Sequence, residues 1–95
     1  MNKYEAMYIV NPNFADDARA ALVERFSGIV TNGGGNVEKI DDWGKRKLAY
    51  EIDDLTEGHY ILMHFESESS LPKELERNFK ISEDVMRFLV IRKEA

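Results

Sequence analysis

The chain has 95 residues, enough for a single domain over 1-95 with one core and too few for a catalytic domain joined to a separate substrate domain. Hydrophobic residues at 43% and charged residues at 33% describe an ordinary soluble globule, not a disordered chain, a coiled coil or a membrane protein, while the lack of cysteine excludes a disulfide framework, a thiolate zinc site and a thiol nucleophile. The formal net charge of -5 excludes non-specific coating of nucleic acid, because each phosphate contact needs a local cation and a negative protein repels the backbone at long range.

In chain order, Met1 to Glu5 puts an acidic residue where a secretory leader carries its apolar region, and no apolar run approaches about 18 residues. Cytoplasm, with no membrane contact, is the expected compartment. Tyr4 to Val10 is rich in aromatic and aliphatic residues and stops at Asn11-Pro12-Asn13, which predicts a first strand. From Ala15 to Thr31 the apolar residues Ala18, Leu22, Phe26 and Ile29 recur at three- and four-residue spacing, one face of a helix. Asn32-Gly33-Gly34-Gly35 ends it as a C-terminal cap; no Gly-Lys-Ser/Thr follows to make a phosphate cradle.

Asn36 to Ile52 lacks a helical period and predicts a long strand bent or bulged at Gly44, with a turn over Asp53 to Gly58. His59 to Glu66 is a third strand, sending Ile61, Met63 and Phe65 to one side and Tyr60, Leu62 and His64 to the other. Ser69, Ser70 and Pro72 open a second helix with Leu75 and Phe79 on its apolar face, and Val85 to Ile91 forms a last strand before a charged tail.

The order strand, helix, strand, strand, helix, strand with right-handed crossovers predicts an α+β, ferredoxin-like sandwich: a four-stranded antiparallel sheet with two helices on one face. If Ala6, Tyr8, Ile61, Met63, Phe65, Phe88 and Val90 face the helices, Met7, Ile9, Tyr60, Leu62, Leu89 and Ile91 face away from them. A patch of that size marks an interface. The plainer alternatives are a one-residue error in register, or a loop that covers the sheet.

No catalytic constellation emerges. His59 and His64 are five residues apart on one strand and point to opposite faces, so they cannot chelate one ion together. Ser67, Ser69 and Ser70 lie in a polar loop without a nucleophile elbow, and the pairs Asp16-Asp17, Asp41-Asp42 and Asp53-Asp54 fit helix starts and turns. We expect no enzyme, no cofactor, no metal and no small-molecule substrate. Lys45-Arg46-Lys47 sits between Trp43 and Tyr50, where cations beside aromatics grip phosphates and stack on bases. The same cations also guard an exposed strand edge against pairing with another chain, and composition leaves the two readings evenly matched.

Asp42-Trp43-Gly44-Lys45-Arg46-Lys47-Leu48-Ala49-Tyr50-Glu51-Ile52 resembles the bacterial small-subunit ribosomal protein S-six (S6) family. Tyr4-Glu5, Asn11-Pro12-Asn13, Gly58-His59-Tyr60 and Ile81 to Arg87 extend the likeness in order over essentially the whole chain. The resemblance implies a structural constituent of the small ribosomal subunit that joins 16S ribosomal RNA in the central-domain platform, together with ribosomal protein S-eighteen (S18). It implies RNA contact by Lys3, Arg46, Lys47 and Arg87, with Lys45, Arg92 and Lys93 as lesser candidates, through phosphate and sugar groups. Met7, Ile9, Trp43, Tyr50, Tyr60, Leu62, Leu89 and Ile91 are the expected protein-partner surface. Two residues depart from the family pattern: Asn2 stands where many members are basic, and Glu51 where several have proline. The bottom-up alternative is a regulatory module of the same fold that binds a metabolite or dimerises through the open face.

Overall fold

The computed structural model describes residues 1–52 and 54–93. Asp53 of the acidic turn, and Glu94 and Ala95 of the charged tail, lie outside the described residues. The elements are β1 (Asn2–Val10), α1 (Asp16–Asn32), β2 (Asn36–Ile52), β3 (Leu55–Ser67), α2 (Leu71–Ile81) and β4 (Val85–Arg92). They form one antiparallel sheet in the order β2-β3-β1-β4, the predicted ferredoxin-like arrangement.

Alternation along β1 decides which face meets the helices. Tyr4, Ala6, Tyr8 and Val10 are buried together with Ile61, Met63 and Phe65 of β3, against Leu22, Phe26 and Val30 of α1 and Leu71, Leu75 and Phe79 of α2. At the centre, Phe26 and Phe79 stand with ring centroids 4.5 Å apart, and Tyr8 lies 5.0 Å from Phe79, the tilted geometry that aromatic quadrupoles favour.

Two local predictions need correction. Ala18 is exposed and Ile29 only half-buried; the inward stripe of α1 is Leu22, Phe26 and Val30. In its first turn Arg19 takes the inward position, and its guanidinium reaches Asp16 and Asp42. The turn predicted over Asp53 to Gly58 is also too long. Ile52 already pairs with Leu55, so Leu55 to Gly58 are strand, and Asp54 turns the chain at φ 64. The turn-like composition of this stretch is overridden by its pairing with β2.

The glycine run does cap α1. The amides of Gly33, Gly34 and Gly35 donate to the carbonyls of Ile29, Thr31 and Val30, with Gly34 in the left-handed region at φ 84.

Candidate nucleic-acid and partner interface

The sheet face away from the helices is built by cross-strand register. Met7 stands opposite Leu62 and Leu89, and Ile9 opposite Tyr60 and Arg87. Leu89 is 54% exposed and Ile91 46%, on an edge strand of the sheet.

The face is not uniformly open. β1 pairs with β3 no further than Val10 opposite His59, so the rest of the β2–β3 hairpin extends past that pairing as a two-stranded arm. That arm bends over the Ile9 end of the sheet. Ile9 is 5% exposed and Leu48 is 7%. The open space at Gly58 is what lets Ile9 lie there, because a Cβ on Gly58 would collide with the Ile9 side chain. At the arm's far side the Tyr50 ring lies over the Arg87 guanidinium, 4.9 Å from centroid to Cζ. The covering reading describes one part, with the arm shielding Ile9, while Met7 and Leu62 stay partly exposed and Leu89 and Ile91 exposed.

The bulge predicted at Gly44 is present as a register shift between Asp42 and Gly44, with Gly44 at φ 75. The Gly44 amide donates to the Asp42 carboxylate at 2.9 Å. Trp43, left without a cross-strand partner, lines an open recess of about 490 Å³ with Arg46 and Tyr60. Arg46 donates from Nε to the Trp43 carbonyl at 3.0 Å.

Strand alternation divides the basic triplet. Arg46 lies opposite Gly58, while Lys45 and Lys47 lie opposite His59 and Glu57, so the two lysines face away from the arginine. Lys45 lines a separate recess beside Pro12 and Asn13.

Charge pairing sorts the remaining basic candidates. Lys3 lies 3.6 Å from Glu38. Lys93 lies 3.5 Å from Glu5 and 2.6 Å from His64 Nδ1, and His64 in turn lies 3.4 Å from Asp41, which pairs with Lys39 at 3.3 Å. Arg92 donates to the Asn2 side chain at 2.9 Å. By contrast Lys45, Arg46, Lys47 and Arg87 have no carboxylate partner among the described residues.

Sequence reasoning missed the chain of Lys39, Asp41, His64, Glu5 and Lys93, because it spans three strands and the residue that follows β4, and becomes visible only with their register. Those groups already pair with one another, which leaves a metabolite few free polar partners on this face.

His59 points to the other side, as expected, where it hydrogen-bonds Asp42. Burial opposes the charge of Asp42, but the Gly44 amide, His59 and Arg19 outweigh it and hold the carboxyl below its ordinary range. Burial, followed by the Asp42 charge, pushes the pKa of Tyr8 up, and its hydroxyl has no hydrogen-bond partner among the described residues. Among the described residues no group of three His, Asp or Glu side chains is placed to hold a metal, and no helix is long and apolar enough to cross a membrane.

The model of the family described as ribosomal protein S6 matches residues 3–92. Small ribosomal subunit protein bS6 of Clostridium acetobutylicum is 53% identical over 91 residues, covering 96% of each chain. The bS6 protein of Thermoanaerobacter pseudethanolicus is 48% identical over 92 residues, covering 97% of each. The crystal structure of 30S ribosomal protein S6 from Thermotoga maritima superposes with a TM-score of 0.92 at 32% identity, covering 97% of this chain and 87% of that one.

Proposed function

Since the chain belongs to the ribosomal protein S6 family, whose members are structural and not catalytic, we propose that it binds 16S ribosomal RNA in the central-domain platform jointly with ribosomal protein S18. Its place is the small ribosomal subunit, in the cytoplasm. The observation that carries the reading is an arrangement on one sheet face: exposed Leu89 and Ile91 share β4 with Arg87, and Arg46 stands on the β2 arm at the other edge, the two arginines having no carboxylate partner among the described residues.

The two kinds of group divide the work. Met7, Leu62, Leu89 and Ile91 supply apolar area for a protein partner, with Trp43, Tyr50 and Tyr60 at its rim, and Ile9 supports them from beneath the arm. Arg46 and Arg87 take phosphates directly, and Lys45 and Lys47 reach RNA that passes around the hairpin. Lys3, Arg92 and Lys93 contribute less, because each already has a partner within the chain.

A chain of net charge -5 has little long-range attraction for RNA, so a basic partner must share the neutralisation, and binding is cooperative. Titrating a platform RNA fragment with this protein, in the presence and absence of S18, tests the reading. RNA affinity should rise when S18 is present; equal affinity in both titrations would overturn the joint site.

A further inference from the structure

The bulge at Asp42 to Gly44 sets Trp43 beside Arg46 and Tyr60 at the rim of the partner surface, in a recess open to solvent. We infer that the recess between Trp43, Arg46 and Tyr60 receives one unstacked base of a single-stranded RNA segment, laid against the indole, while Arg46 holds an adjoining phosphate. The inference rests on the RNA-binding reading above and specifies the ligand at one end of that site.

Three observations converge on it. Trp43 stands in the bulge without a register partner among the described residues, and the residue stays 46% exposed. Its companions in the recess are a phenol ring and a guanidinium, which is the combination that stacks a base and neutralises its phosphate. An aliphatic protein side chain would be better served by Met7, Leu89 and Ile91, which lie on β1 and β4, whereas Trp43 lies on β2 at the opposite edge of the sheet. Third, the bond from Arg46 Nε to the Trp43 carbonyl fixes the guanidinium beside the indole and leaves its two terminal amino groups without a partner among the described residues.

Stacking also suits an acidic chain. It draws on the π-face that every base presents, not on net charge, so it contributes where long-range attraction is weak. It is sequence-tolerant and favours the larger purine face.

Trp43 is the only tryptophan of the chain, so its fluorescence reports the recess alone. The full chain is titrated at low ionic strength with a short oligoadenylate, and with a strand of equal length built from abasic riboses. The adenylate strand should quench Trp43 saturably and the abasic strand should not. By anisotropy of a labelled oligoadenylate, Trp43→Ala should bind roughly tenfold more weakly, Trp43→Phe should retain most of the affinity, and Arg46→Gln should bind more weakly with a shallower salt dependence.

Equal quenching by the abasic strand, or unchanged affinity of Trp43→Ala, would overturn the base site. So would the loss of adenylate quenching once S18 is bound, which would assign the recess to protein. Cooperative assembly on platform RNA that survives Trp43→Ala removes only the base site, whereas wild-type protein that fails to assemble cooperatively removes the parent reading.

Discussion

Tyr50 and Arg87 lie on opposite edge strands of the sheet, yet the tyrosine ring covers the guanidinium at 4.9 Å. The contact ties the end of the hairpin arm to β4 and fixes Arg87 on the face where RNA contact is proposed. Both side chains remain substantially exposed, so the pair contributes about 0.5–1 kcal/mol. A double-mutant cycle on urea unfolding with Tyr50→Ala and Arg87→Gln should return a coupling of that size; strictly additive effects would mean that the arm is held by other contacts.

The arm's other anchor is Gly58. Its missing side chain lets Ile9 lie where a Cβ would otherwise stand, and Gly58 itself sits in regular strand pairing opposite Arg46. Gly58→Ala therefore forces Ile9 out of place or lifts the arm, with a loss of about 1–3 kcal/mol. Thermal unfolding measures it. The double variant Gly58→Ala with Ile9→Ala should lose less than the sum of the two single variants, because the smaller side chain at position 9 makes room for the added methyl.

The two-layer architecture was legible because it is carried by local period. Ala6 and Tyr8 alternate with Met7 and Ile9, Ile61, Met63 and Phe65 alternate with Leu62 and His64, and each set kept its predicted side. What was not legible depends on register between distant strands. The run from Thr56 to Gly58 has turn-like composition and becomes strand only by pairing with β2. The ion pairs joining Glu5, Asp41, His64 and Lys93 bring together three strands and the residue after β4, and none is visible until those segments are aligned. The basic triplet was conspicuous, but which of its members shares a face with Trp43 depended on the phase of alternation after the bulge.

Asp42 links the bulge to α1 and gives the fold a pH dependence. Its carboxyl is held below the ordinary range in the folded chain: burial opposes ionisation, and the Gly44 amide, His59 and Arg19 prevail. A depressed folded-state pKa contributes stability that is present above the unfolded value and is lost as pH falls through the folded one. The window therefore lies below about pH 4. Half of the side chain is exposed, so solvent screening keeps the contribution small. Asp42→Asn should lower stability at neutral pH and flatten its decline in acid; a variant whose acid unfolding parallels that of the wild type would remove Asp42 from the linkage.

The partner surface is tested on β4. Leu89 is 54% exposed, so Leu89→Asp should leave the fold and its unfolding midpoint nearly unchanged. If the apolar face receives S18, the same change puts a desolvated charge into the contact and should weaken binding at least tenfold, about 1.4 kcal/mol or more. Calorimetry on the purified pair decides it. Undiminished binding by both Leu89→Asp and Ile91→Asp would move the partner to the β2 edge.

Arg46 and Lys47 are neighbours in sequence and opposites in space, one across from Gly58 and the other across from Glu57. If RNA lies on the face that carries Arg87 and Trp43, the two positions are not equivalent. Arg46→Glu should weaken assembly on platform RNA by about tenfold and reduce the slope of log affinity against log salt by about one. Lys47→Glu should have a smaller effect on affinity and slope, because its charge reaches the phosphates only around the hairpin. Measuring both variants across a salt series separates the faces. An effect of Lys47→Glu equal to or larger than that of Arg46→Glu would put the RNA along the outer side of the arm, with Arg46 left to position Trp43.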